Sequence, residues 1–81
     1  MRVTIKLFAT LTRYKKDARA GRPFELDLPE HAVVKDVLDL LQIPAGETKI
    51  VFINNIIQEL DTALKEGDVV GMFPPVGGGA V

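Results

Sequence analysis

The sequence predicts an α+β fold of two layers: a mixed sheet of four to five strands with one main helix packed across one face. Three observations carry this. Residues 2–8 and 22–28 alternate apolar and polar side chains, the period of strands with one buried face. Only one stretch, Val34–Leu41, repeats apolar residues at helical spacing. Three further strand-forming runs follow it, giving the order ββαβββ.

The elements follow in turn. In residues 2–8, Val3, Ile5 and Leu7 share one face and Arg2, Thr4 and Lys6 the other. One dry and one wet face fit a sheet covered on one side. Residues 9–21 are polar and end in Gly21, with a weak helical pattern through Leu11 and Tyr14. In residues 22–28, Phe24, Leu26 and Leu28 point inward, and Pro29 closes the strand. The two strands pair as an antiparallel hairpin with a long loop. The helix starts near Ala32 and carries Val34, Val37, Leu38 and Leu41 on one face; Pro44 stops it. Lys49–Ile53 is rich in β-branched residues. Asn54-Asn55 suits a tight hairpin turn, and Ile56–Glu59 is the return strand. Leu60 and Leu64 pin the next loop to the core. Val69–Phe73 is the last strand, where Gly71 allows a close backbone approach or a bulge. Residues 1–76 thus form one domain, and 77–81 a flexible glycine-rich tail.

Composition narrows the function. With 47% hydrophobic and 26% charged residues the chain is an ordinary globular domain. No apolar run approaches a membrane span and no secretory signal opens the chain, so a cytoplasmic location and no membrane partner are expected. The absence of cysteine excludes a thiol nucleophile and thiolate metal ligands, and a single histidine excludes a multi-histidine metal site. Residues 1–40 carry +2 and residues 41–81 carry −3. Arg13, Lys15, Lys16, Arg19 and Arg22 cluster in one segment. They read as a solvated loop and not as a nucleic-acid site, because Asp17 dilutes them and only Tyr14 is placed to stack on a base.

Catalytic constellations are scarce. His31 beside Glu30 reads as a surface or capping residue, and Asp36 with Asp39 as the wet face of the helix. No glycine-rich loop joins a strand to a helix, so no phosphate cradle is present. The end of the chain differs. Pro74 and Pro75 stop the last strand, and Gly77, Gly78 and Gly79 remove every side chain beyond Val76. Fully extended, residues 74–79 reach roughly 20 Å. A bare slender end threads a narrow channel without a Cβ to clash. A terminal glycine carboxylate there can be converted by a partner enzyme, with ATP and Mg²⁺, into an acyl-adenylate that accepts a sulfur or amine nucleophile. This chain itself binds no cofactor and supplies the carboxylate and a docking surface.

Several stretches resemble the MoaD/ThiS family of sulfur carriers. They are Gly21-Arg22-Pro23-Phe24-Glu25-Leu26-Asp27-Leu28-Pro29-Glu30, the helix Val34–Leu41, Leu60-Asp61-Thr62-Ala63-Leu64-Lys65-Glu66-Gly67-Asp68 and, most specifically, Phe73-Pro74-Pro75-Val76-Gly77-Gly78-Gly79. The resemblance implies a ubiquitin-like β-grasp fold and a carrier rather than an enzyme. It implies adenylation of the terminal glycine by an E1-like adenylyltransferase of the MoeB/ThiF type, followed by thiocarboxylate formation. The sulfur would go to molybdopterin or tungsten-cofactor synthesis, with the chain as small subunit beside a molybdopterin synthase large subunit, or to a thiazole synthase in thiamin synthesis. By position Gly79 matches the modified glycine and Gly78 its partner.

One departure follows from the same comparison. The simplest family members end at the second glycine, whereas Ala80 and Val81 follow here. Activation at Gly79 therefore implies removal of Ala80-Val81 by a processing protease. A ubiquitin-like protein modifier and a non-covalent β-grasp module remain as alternatives. For docking, the candidates at the tail root are Phe73, Pro74, Pro75, Val76 and Gly77, with Phe8 and Leu60 if the fold brings them near.

Overall fold

The structure, a computed structural model, describes residues 1–48 and 50–75. The strands are β1 (Arg2–Leu7), β2 (Phe24–Asp27), β3 (Ile50–Ile53), β4 (Ile56–Gln58) and β5 (Val69–Phe73). One α-helix, α1 (Val34–Leu41), crosses between them in sequence, and 3-10 turns cover Ala9–Tyr14 and Ala45–Glu47. The sheet order is β2-β1-β5-β3-β4. β1 and β5 pair in parallel at its centre, and the other three pairs are antiparallel. This is the β-grasp arrangement that the resemblance implied.

One face of the sheet is buried. Val3, Ile5 and Leu7 of β1, Val51 and Ile53 of β3, and Val70 and Met72 of β5 form one cluster with Val34, Val37 and Leu38 of α1. Leu11, Leu28, Ile43 and Leu64 complete this core. Leu60 packs partly buried against it, as its expected pinning role required. Phe24 and Leu26, expected inward, are only half-buried, while Leu28 is buried. The reason is position: β2 is an outer strand and its apolar side chains are covered from one side only.

The helix begins at Val34, two residues after Ala32. Val33 is held in a β-bridge to Ala63 and so stays extended. Its N–H donates to the Asp36 carboxylate at 2.8 Å, which caps the helix from its third residue. The N–H groups of Val34 and Lys35 donate to the carbonyls of Thr62 and Leu60. The first-turn donors that a helix leaves unpaired are thus satisfied by the neighbouring loop. At the other end Gln42 turns left-handed, at φ 60°, before Pro44 is reached. The Ile43 N–H then donates to the Leu38 carbonyl at 2.8 Å, and Ile43 is buried. Such a reversal ends a helix without proline.

Asn54 and Asn55 both have positive φ, as a tight hairpin turn requires. Asn54 also ties the turn to β5. Its amide donates to the Asp68 carboxylate at 3.0 Å, and its carbonyl oxygen accepts from the Val69 N–H at 3.0 Å. Asp68 accepts a further bond from the Lys65 N–H at 2.8 Å, so this buried carboxylate is well supplied with donors.

Candidate functional site

The open face of the sheet is set by strand parity. Val70 and Met72 point into the core, so Val69, Gly71 and Phe73 point out. Lys6 lies opposite Gly71 on β1, and Phe52 lies opposite Gly71 on β3. Phe8 follows β1, and its N–H donates to the Met72 carbonyl at 3.2 Å, which continues the β1–β5 pairing one step further. Three aromatic rings therefore meet where the chain leaves the sheet. Phe8 stacks on Phe73 with centroids 4.2 Å apart and planes within 5°. Phe52 meets Phe73 edge-on at 5.7 Å. Arrangements of this kind hold aromatic pairs beyond simple burial.

Two glycines make room for this group. A Cβ built on Gly71 would lie 3.6 Å from the Phe8 ring, so the ring fills the space above that residue. The expected close approach is present, and the register runs through Gly71 without a bulge. A Cβ on Gly21 would come within 3.2 Å of the other side of the Phe8 ring, and Gly21 has φ +74°. The result is a groove of about 270 Å³ between Lys6, Phe8, Phe52, Val69 and Phe73. Ile57, 65% exposed, lies opposite Phe52 on β4 and extends the apolar surface toward the sheet edge. Lys6 is the one charged side chain lining the groove.

The sequence candidates fall into three groups. Phe73 and Phe8 come together, with Pro74 half-buried and Pro75 exposed just beyond. Phe8 stands outside the core cluster. Leu60 does not join them: it packs against the core and is not among the side chains lining the groove. The condition under which it was a docking candidate, a place beside Phe73, is therefore not met at this groove. Val76, Gly77, Gly78, Gly79, Ala80 and Val81 lie outside the described residues. His31 is exposed with φ 69° in the turn before the helix, and Asp36 is the helix cap. Among the described residues no group of acidic residues and histidine could hold a metal ion, and no helix is long and apolar enough to cross a membrane.

Phe52 and Gly21 escaped the sequence reading. Strand parity was the available signal for Phe52, since Val51 and Ile53 on either side are inward. Gly21 gave none, because its role depends on a ring thirteen positions earlier in the chain. Beside the site, the Tyr14 hydroxyl and the Arg13 guanidinium both donate to Glu47, at 2.6 and 2.7 Å. These two bonds, that from Tyr14 foremost, hold the Glu47 carboxyl below the usual carboxylate range.

The profile of the ThiS family matches residues 5–79, nearly the whole chain. The chain belongs to the ThiS family. Solved structures agree with that assignment and with a ubiquitin-like β-grasp fold. A Pyrococcus furiosus protein described as molybdopterin converting factor subunit 1 is 29% identical, with a TM-score of 0.69 over 94% of this chain and 99% of that one. Small archaeal modifier protein 1 of Haloferax volcanii is 26% identical, with a TM-score of 0.71 over 93% and 98%. A chain from the complex of subunits 1 and 2 of the Helicobacter pylori molybdopterin-converting factor is 25% identical, with a TM-score of 0.61 over 96% and 99%. No curated protein sequence matches the chain. This ThiS-family chain thus joins a group of ubiquitin-like sulfur carriers.

Proposed function

We propose that this protein carries sulfur on Gly79, after removal of Ala80-Val81. The observation that carries the reading is the reach of the family match, which runs through residue 79 and so includes the glycine tail. In the first step the Gly79 carboxylate attacks the α-phosphorus of ATP in an E1-like enzyme, and pyrophosphate leaves. The mixed anhydride then accepts a sulfur nucleophile at its carbonyl carbon, and AMP leaves. With hydrosulfide as the nucleophile the tail then ends directly in a thiocarboxylate; with a persulfide donor it first forms an acyl disulfide, whose S–S bond a thiol cleaves, freeing the thiocarboxylate while that thiol and the donor sulfur are oxidised to a disulfide. ATP and Mg²⁺ belong to the activating enzyme; this chain contributes the terminal carboxylate and the aromatic groove that seats its body beside the channel.

The sulfur is then delivered to molybdopterin or tungsten-cofactor synthesis, or to thiazole formation for thiamin. The Helicobacter pylori complex supports a larger synthase subunit as the receiving partner in the first case. The likeness to small archaeal modifier protein 1 supports a second reading, in which a target lysine attacks the same activated glycine.

Incubation of protein ending at Gly79 with the E1-like enzyme of the same genome, ATP and a sulfur donor tests the proposal. Mass spectrometry is expected to show one carboxylate oxygen exchanged for sulfur. Protein ending at Val81, and the Gly79→Ala variant, are expected to stay unmodified. An unreactive Gly79-ended chain would count against the carrier reading. Isopeptide-linked products in cells would favour the modifier.

A further inference from the structure

Four basic residues in the loop after β1 have no role in the carrier chemistry. β1 and β5 run parallel, so they end on the same side of the sheet. The loop after β1 and the residues after β5 therefore start near one another, from Phe8 and Pro74. That loop holds Arg13, Lys15, Lys16, Arg19 and Arg22. Arg13 is neutralised by Glu47 at 2.7 Å. The other four line a concavity of about 160 Å³, in which Asp17 is the single carboxylate. Among the described residues none of these four enters an ion pair, whereas Arg2 pairs with both Asp27 and Glu25.

The loop is also held in shape. The Ala18 N–H donates to the Lys15 carbonyl at 3.0 Å and the Arg22 N–H to the Arg19 carbonyl at 2.9 Å, closing two successive turns. The Gly21 N–H donates to the Leu7 carbonyl at 2.9 Å, and Gly21 packs against Phe8. Phe8 in turn stacks on Phe73. The loop that lines the basic concavity is thus anchored, through Gly21, to the ring that stacks at the end of β5.

We propose that this concavity is a second docking face, and that it meets an acidic patch beside the channel of the enzyme that takes the tail. The inference rests on the carrier reading above. A protein surface fits better than a nucleic acid for two reasons. The cations surround one small hollow instead of tracking a backbone, and the aromatic ring that lines it, Phe24, is half-buried with the Lys15 ammonium 5.2 Å from its centroid, where a stacked base would have to lie. Opposite charges at the rim of an interface chiefly raise the association rate, and salt screens them.

The test uses the chain ending at Gly79 and the E1-like enzyme of the same genome. Association is followed by stopped-flow for the native sequence and for Lys16→Glu/Arg19→Glu/Arg22→Glu. At roughly 50 mM salt the triple variant is expected to associate about tenfold more slowly, and at roughly 500 mM the two rates are expected to converge. The Lys16→Arg/Arg19→Lys/Arg22→Lys variant, which keeps the charge, is expected to restore the rate. Adenylation at saturating carrier is expected to be the same in all three, which also establishes that each is folded. Equal association rates at both salt concentrations, with adenylation intact, would overturn the basic docking face and leave the carrier reading standing. No adenylation of the native sequence would overturn both. A single-stranded DNA of roughly 20 nucleotides that binds the native chain and not the charge-reversed one would overturn the assignment to an acidic protein.

Discussion

Glu47 shows how single side chains fix the loop that follows β1. Its carboxylate is the shared acceptor for Tyr14 and Arg13, and so joins the two 3-10 turns. Because its folded pKa is lowered, the contribution to stability is complete above the ordinary value of 4.5 and is lost as pH falls through the folded value. Tyr14→Phe removes the largest cause of the lowering. The stability gap between native and Tyr14→Phe protein should therefore narrow on acidification. Urea unfolding at about pH 7 and about pH 3 checks this; an equal gap at both would contradict it. At this scale the sequence was partly legible. The aromatic at position 73 stood out because it directly precedes two prolines. Phe8 was ambiguous, since an apolar residue after a strand reads equally as core or surface. Only the stack on Phe73 separates those readings, and that contact joins residues 65 positions apart.

Among the elements, β1 was readable from its alternation, β5 as a run of strand formers stopped by two prolines, and the helix from its spacing. Boundaries were less legible where tertiary bonds set them. Val33 is no helix cap by residue type, yet its bridge to Ala63 and its bond to Asp36 decide where α1 begins. Gln42 ends the helix ahead of Pro44 because Ile43 must return to the core. The Asn54–Asp68 contact is the joint between the β3–β4 hairpin and β5, the strand that ends in the tail. Asp68→Ala would leave the Asn54 amide and the Lys65 N–H without their buried acceptor. A loss of about 1–3 kcal/mol is expected in chemical denaturation. A loss under about 0.5 kcal/mol would mean that the joint is not a structural support.

For the whole molecule, the fold class was legible but the strand order was not. Nothing local in residues 2–7 marks Val69–Phe73 as their parallel neighbour, because the pairing spans most of the chain. Yet that pairing brings Phe8, Phe52 and Phe73 together and starts the basic loop from the strand next to β5. One face is committed to the helix and the core, and the other carries the open aromatic groove. The account as a whole depends on Gly79 becoming the chain's last residue. Intact-mass measurement of the protein recovered from its native cells tests this most directly. The predicted mass is that of a chain ending at Gly79, as the carboxylate or with one oxygen replaced by sulfur. A population that ends uniformly at Val81 would contradict the account.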